Sequence, residues 1–154
     1  MTNRPEYPLG PPLIGALLRM PVDVIRARML AGLHEAGFDD LVPAHLIVLQ
    51  YPGPENLRPS ELAAQARMTK QAMNYLLGEM QRLGYLKREP DAQDHRSKRV
   101  QLTRRGDAAG QTIRQIVGQI ETELEQELGP ERFGHLRTLL IALNETSLIG
   151  NHEL

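Results

Sequence analysis

The sequence contains no cysteine, which excludes disulfides, thiolate nucleophiles, thiol-based redox sensing and cysteine-ligated zinc together. No run approaches the roughly 18 consecutive apolar residues that a membrane span requires, and the opening residues, MTNRPEYPLGPP, hold no apolar signal core. A cytoplasmic protein with no membrane partner is therefore expected. No glycine-rich phosphate loop, nucleophile-plus-base arrangement or paired-carboxylate motif stands out, so an enzyme is not expected. The five histidines, His34, His45, His95, His135 and His152, show no i, i+4 pair, and neither a metal nor a cofactor is expected. Glu121, Glu123, Glu125 and Glu127 alternate in sequence, which on a helix points them to different sides and makes them a solvated surface.

What is present fits one globular domain: 154 residues, 41% hydrophobic and 24% charged. The net charge of −1 conceals a strong asymmetry. Residues 58–105 carry eleven lysines and arginines against five acids, a net +6, while the remainder carries −7. One segment suits phosphate and the rest repels it.

Four of the 11 prolines (Pro5, Pro8, Pro11, Pro12) fall in residues 1–12, marking an extended arm, poorly anchored or swapped onto a partner. Ile14, Leu18, Val22, Ile25, Met29 and Leu33 then recur at helical spacing, with a kink or break expected at Pro21 and an end at Gly37. Pro43 opens a short helix that closes near Tyr51, with Leu46 and Leu49 inward. After a Pro/Gly loop, a third helix spans Ser60 to Ala66. Thr69 is a natural cap for a fourth, whose Met73, Leu76, Leu77, Met80 and Leu83 share a face and which Gly84 stops. The period then changes to two over Tyr85–Arg88 and Arg99–Thr103, which predicts a hairpin around a polar loop, Pro90 to Lys98. Helix returns from Arg105 along Ile113, Ile116, Val117, Ile120, Leu124 and Leu128, breaks at Gly129-Pro130, and resumes with Phe133, Leu136, Leu139, Leu140 and Leu143.

This is a mostly α fold with a small β-hairpin wing. Two short helices separated by Arg67 and Met68 and followed by a basic hairpin have the layout of a winged helix-turn-helix, whose second helix enters the DNA major groove. Its apolar stripe inward leaves Lys70, Gln71 and Asn74 outward near its N-terminus, with Tyr75 beside them. Lysine donates to guanine O6 and N7, and Gln or Asn pairs with adenine N6 and N7. Ser60, Thr69 and the helix amides are expected to hold phosphates, and Arg67 is also expected among the DNA-binding residues. Asp94, Arg96, Lys98 and Arg99 crowd the wing, where Arg96 is expected to enter the minor groove with Asp94 bracing its guanidinium. The apolar stripe itself is core and nothing more.

Ser60-Glu61-Leu62-Ala63, Thr69 to Leu77, Leu83 to Arg88, and Asp91 to Arg96 through Val100-Gln101-Leu102-Thr103-Arg104-Arg105-Gly106 closely resemble the multiple antibiotic resistance regulator (MarR) family over about residues 41–106. The most specific part is the D-x-R wing followed by V-x-L-T-x-x-G. The resemblance implies a bacterial, triangular homodimer, in which the terminal helices form the interface and the two winged modules meet successive half-sites of double-stranded DNA. Residues 1–36 and 107–154 would then dimerise and residues 37–106 bind DNA. Pro21 and the proline-rich arm depart from the plain family pattern. In relatives small effectors bind near the loop that His34 and His45 flank. Ordinary surface or core histidines remain the simpler reading there, as gap-filling core does for Met20 and Met29.

Two functions are weighed. One is a dimeric, ligand-responsive repressor of a pseudo-palindromic operator, controlled by a small-molecule effector. The alternative is a winged-helix protein-interaction module without sequence-specific DNA binding, its basic surface meeting an acidic protein.

Overall fold

In a computed structural model of the chain, residue 10, residues 12–50 and residues 52–150 are described. The expected arm at residues 1–12 lies outside them apart from Gly10 and Pro12. The elements follow the order α1 (Ile14–Glu35), α2 (Pro43–Leu49), α3 (Pro59–Gln65), α4 (Lys70–Arg82), β1 (Leu86–Pro90), β2 (Lys98–Leu102), α5 (Arg104–Leu128), α6 (Pro130–Asn144) and α7 (Ser147–Gly150).

Helix α1 runs through Pro21 without a break, correcting that part of the expectation. Proline removes one donor, the one that would bond the Leu17 carbonyl. Leu17 and Met20 are about half-exposed, so the freed carbonyl lies on a solvated stretch where its loss is tolerated. Only the C-terminal part of the predicted stripe, Met29 and Leu33, is buried. There Gly32 brings α1 against α5: a Cβ at this position would lie 2.5 Å from Ile116 Cδ1.

The core is formed where α1, α2, α4, the hairpin and the start of α5 converge, with Leu33, Leu41, Leu46, Val48, Met73, Leu77, Met80, Tyr85, Leu86 and Val100 almost wholly inaccessible. Each large apolar side chain so buried contributes about 1.5–3 kcal/mol, so the stripe of α4 alone anchors that helix firmly. Thr69 caps α4 by accepting from the Ala72 amide at 3.1 Å, as its residue type and position predict.

The strands are antiparallel, with Leu86 opposite Leu102 and Pro90 opposite Lys98. They therefore extend to the two residues taken as loop ends. Helix α5 starts earlier than expected because Thr103, read as strand, is its N-cap and accepts from the Gly106 amide at 3.1 Å. The Asn56 amide donates to the Val100 carbonyl at 2.8 Å and the Val100 amide to the Leu57 carbonyl at 2.9 Å, so the segment before α3 is stitched to the free edge of β2. The wing is thereby registered on the helix pair. The short α7 has no counterpart in the sequence reading.

Candidate nucleic-acid interface

The turn between α3 and α4 is made by Arg67 with φ of 52°, a left-handed conformation that glycine would adopt more easily. It lets the Met68 amide reach the Ala63 carbonyl at 2.9 Å. The exposed Arg67 side chain donates to the Ile149 carbonyl at 2.9 Å, tying the turn to the chain's last helix.

Beyond that turn Lys70, Gln71, Asn74 and Tyr75 are all exposed on one side of α4, and Ser60 and Thr69 are exposed at the starts of α3 and α4. Their engagement differs. The Thr69 hydroxyl is held in its cap. The Asn74 amide donates to the Lys70 carbonyl at 2.9 Å and accepts a long 3.4 Å bond from Arg88 of β1, whose Nε also donates to Gln81 at 3.0 Å. The Tyr75 hydroxyl donates to Glu79 Oε1 at 3.2 Å. Among the described residues Lys70, Arg96 and Lys98 have no ion-pair partner.

At the wing tip Asp94 does not brace the Arg96 guanidinium. Its Oδ1 accepts from the Arg96 backbone amide at 3.1 Å instead, because a separation of two residues brings the amide, not the end of a long side chain, within reach of a short carboxylate. Arg99, expected at the surface beside Arg96, turns inward: its Nε donates to Asp91 Oδ2 at 2.9 Å and an Nη to the Asn56 carbonyl at 2.7 Å.

Asp91, to which the sequence reading assigned no role, is the junction of the wing. It is 2% exposed and accepts from Arg58 at 2.9 and 3.1 Å, from Arg99, and from the Gln93 amide at 2.9 Å. The Gln93 amide and the two guanidinium groups hold its carboxyl well below the usual carboxylate range, and the same contact raises Arg58. Arg58 lies 33 residues earlier in the chain, a separation no local pattern reveals.

A second junction joins the module to α5. The buried Tyr85 hydroxyl donates to Asp40, and Arg105 lies 4.5 Å over the Tyr85 ring while donating to Asp40 at 2.9 Å and to the Leu83 carbonyl at 2.8 Å. Burial, then Asp40, pushes the tyrosine's pKa up.

Of the two histidines set beside the expected effector loop, His34 bonds the Leu41 carbonyl at 2.8 Å through Nε2. His45 is buried, with Nδ1 accepting from the Val42 amide at 3.2 Å. The ring proton therefore sits on Nε2, which has no hydrogen-bond partner and lies 3.7 Å from Glu79 Oε2. Leaving such a buried donor unmet costs about 1–3 kcal/mol. Met29 belongs to the core, whereas Met20 lines a 340 Å³ groove between α1 and α5. A larger 440 Å³ cavity lies between the loop before α3 and α5, lined among others by Leu49, Pro54, Glu55, Leu102 and Arg114.

Helix pair, hairpin and long flanking helices define a winged helix-turn-helix protein with helical arms. Residues 40–97 match the MarR family. No curated protein matches the sequence. Among solved structures, a Mycobacterium tuberculosis MarR family protein in complex with salicylic acid is 25% identical, with 88% of this chain and 98% of that one covered and a TM-score of 0.63. Apo MarR from E. coli is 24% identical, with 87% and 98% covered and a TM-score of 0.67. The transcriptional repressor CouR, bound to a 23-mer DNA duplex, is 20% identical, with 86% and 93% covered and a TM-score of 0.67. The winged segment of the chain thus matches the MarR family, and most of its length shares the fold of solved MarR family proteins.

Proposed function

We propose that the protein is a homodimer that binds a pseudo-palindromic operator as a ligand-responsive repressor, with residues 37–106 binding DNA and residues 1–36 and 107–154 dimerising. The observation that carries this reading is the exposed polar face of α4, with Lys70 and Gln71 at its capped N-terminus, beside a wing whose Arg96 and Lys98 are free of acidic partners among the described residues. Such a helix meets base edges in the major groove while the wing follows the backbone or minor groove. Ser60, Thr69 and Arg67 contribute at phosphates, Gln71, Asn74 and Tyr75 at base edges. Asp94 and Arg99 act by shaping the wing that presents Arg96. The DNA complex of the structurally similar CouR supports the same use of the fold.

Dimerisation is supported by the apolar side chains that a single chain leaves exposed, among them Ile14, Leu17 and Val24 on α1 and Leu136, Leu139 and Ile141 on α6. An effector in the 440 Å³ cavity would contact both α5 and the loop stitched to β2. It would change the spacing of the two recognition helices, and misplaced helices cannot both fit successive major grooves.

Fluorescence titration of labelled duplex DNA at two salt concentrations tests the reading: affinity is expected to fall with a log–log slope of about −0.9 per phosphate neutralised. Selection from a random duplex pool is expected to return a two-fold symmetric consensus. Arg96→Ala is expected to weaken binding about tenfold or more with the oligomeric state unchanged. A flat salt slope or no binding would favour the protein-interaction reading.

A further inference from the structure

We propose that Glu79 is a positioning residue for base readout: it takes up the single hydroxyl proton of Tyr75, so that this tyrosine meets DNA only as a hydrogen-bond acceptor. The inference rests on the DNA-binding reading above. Tyr75 is 66% exposed on α4 one turn before Glu79, and its hydroxyl donates to Glu79 Oε1 at 3.2 Å. A tyrosine hydroxyl has one proton to give and lone pairs to receive. With the proton committed to a carboxylate, what remains on the outer face is an acceptor.

In the major groove the exposed donors are the amino groups of adenine and cytosine, whereas guanine O6 and thymine O4 are acceptors. An acceptor-only Tyr75 selects the former pair and repels the latter. An acid on a DNA-facing helix works against phosphate binding, so Glu79 contributes through this orientation and not through affinity. Among the described residues it has no lysine or arginine partner.

The carboxylate is also aimed from behind. Its second oxygen, Oε2, lies 3.7 Å from Nε2 of the buried His45, whose proton must be on that nitrogen because Nδ1 accepts from the Val42 amide. Nε2 has no other partner. Helix α2 thus supplies a fixed positive end to a dipole behind Glu79, favouring the conformer that points Oε1 at Tyr75.

The test is selection of bound duplexes from a random pool by the full-length protein and by Glu79→Ala, Glu79→Gln and Tyr75→Phe. The unaltered protein is expected to prefer adenine or cytosine at one position per half-site. Glu79→Ala and Tyr75→Phe are expected to lose about fivefold of that preference at the same position, with the rest of the consensus kept. Glu79→Gln retains an acceptor oxygen for the hydroxyl and is expected to restore the preference. An unchanged consensus in Glu79→Ala, loss at different positions in the two variants, or a glutamine variant that behaves like alanine overturns the inference while leaving DNA binding standing. Should Glu79→Ala fail to fold, Tyr75→Phe at its exposed position decides alone, and an unchanged consensus there overturns it. Failure of the unaltered protein to bind any duplex overturns the DNA reading and this inference together.

Discussion

Asp91 illustrates how one residue holds a surface together. Its carboxylate sits where the strand leaving α4, the strand entering α5 and the start of α3 meet, and two arginines from different segments close on it. Because its folded-state pKa is depressed, its contribution to stability is present above the ordinary carboxylate value and is lost as pH falls toward the lower, folded value. Asp91→Asn is therefore expected to lower the urea midpoint at neutral pH, and the gap to the unaltered protein is expected to narrow below about pH 4. A gap constant with pH would show that the charge is not what matters. Gly106 acts through space instead: a Cβ there would lie 1.9 Å from the Tyr85 carbonyl oxygen. Backbone cannot yield as a side-chain tip does, so Gly106→Ala is expected to destabilise by about 2 kcal/mol or more in chemical denaturation.

At the scale of elements, caps and breakers were legible. Thr69, Gly84 and Gly129-Pro130 bound helices where their backbone preferences require. Thr69→Ala removes the acceptor for the Ala72 amide and is expected to reduce stability by about 1 kcal/mol in urea titration. It also frays the turn carrying Lys70 and Gln71, so weaker binding to the selected duplex is expected alongside. Two element-level readings failed for local reasons. Pro21 predicted a kink or break, and the break does not occur, because a missing donor on an exposed stretch does not end a helix. Thr103 alternates with its neighbours like a strand residue, yet its hydroxyl reaches the Gly106 amide and donates to the Gly84 carbonyl at 2.6 Å, which makes it a cap.

Across the whole molecule, what a single chain leaves unburied is as informative as its core. No residue of α6 is buried, although Leu136, Leu139 and Ile141 lie on it. The N-terminal half of α1 is likewise apolar and exposed. Both flank a winged module whose own core is closed, and under the proposed function these apolar arms serve association. Removal of residues 130–154 is accordingly expected to convert the proposed dimer to a monomer in sedimentation velocity while the hairpin and α4 stay folded. Dimers persisting after the truncation would contradict the assignment of that interface to α6.

Local chemistry alone determined the order of helices, the hairpin, the stripe that buries α4 and the concentration of positive charge in residues 58–105, because periodicity, caps and composition are properties of neighbouring residues. Tertiary structure decided which charges remain free. Arg99 and Arg96 are three residues apart in the same wing, yet one closes on a buried aspartate while the other is left exposed. Asn74 and Tyr75 are adjacent in sequence, yet one accepts from Arg88 of β1 and the other donates to Glu79, whose second oxygen faces a histidine on α2. Hydrogen bonds and ion pairs between different elements depend on where the backbone brings each group, and that is set by packing of the core and not by any pattern along the chain.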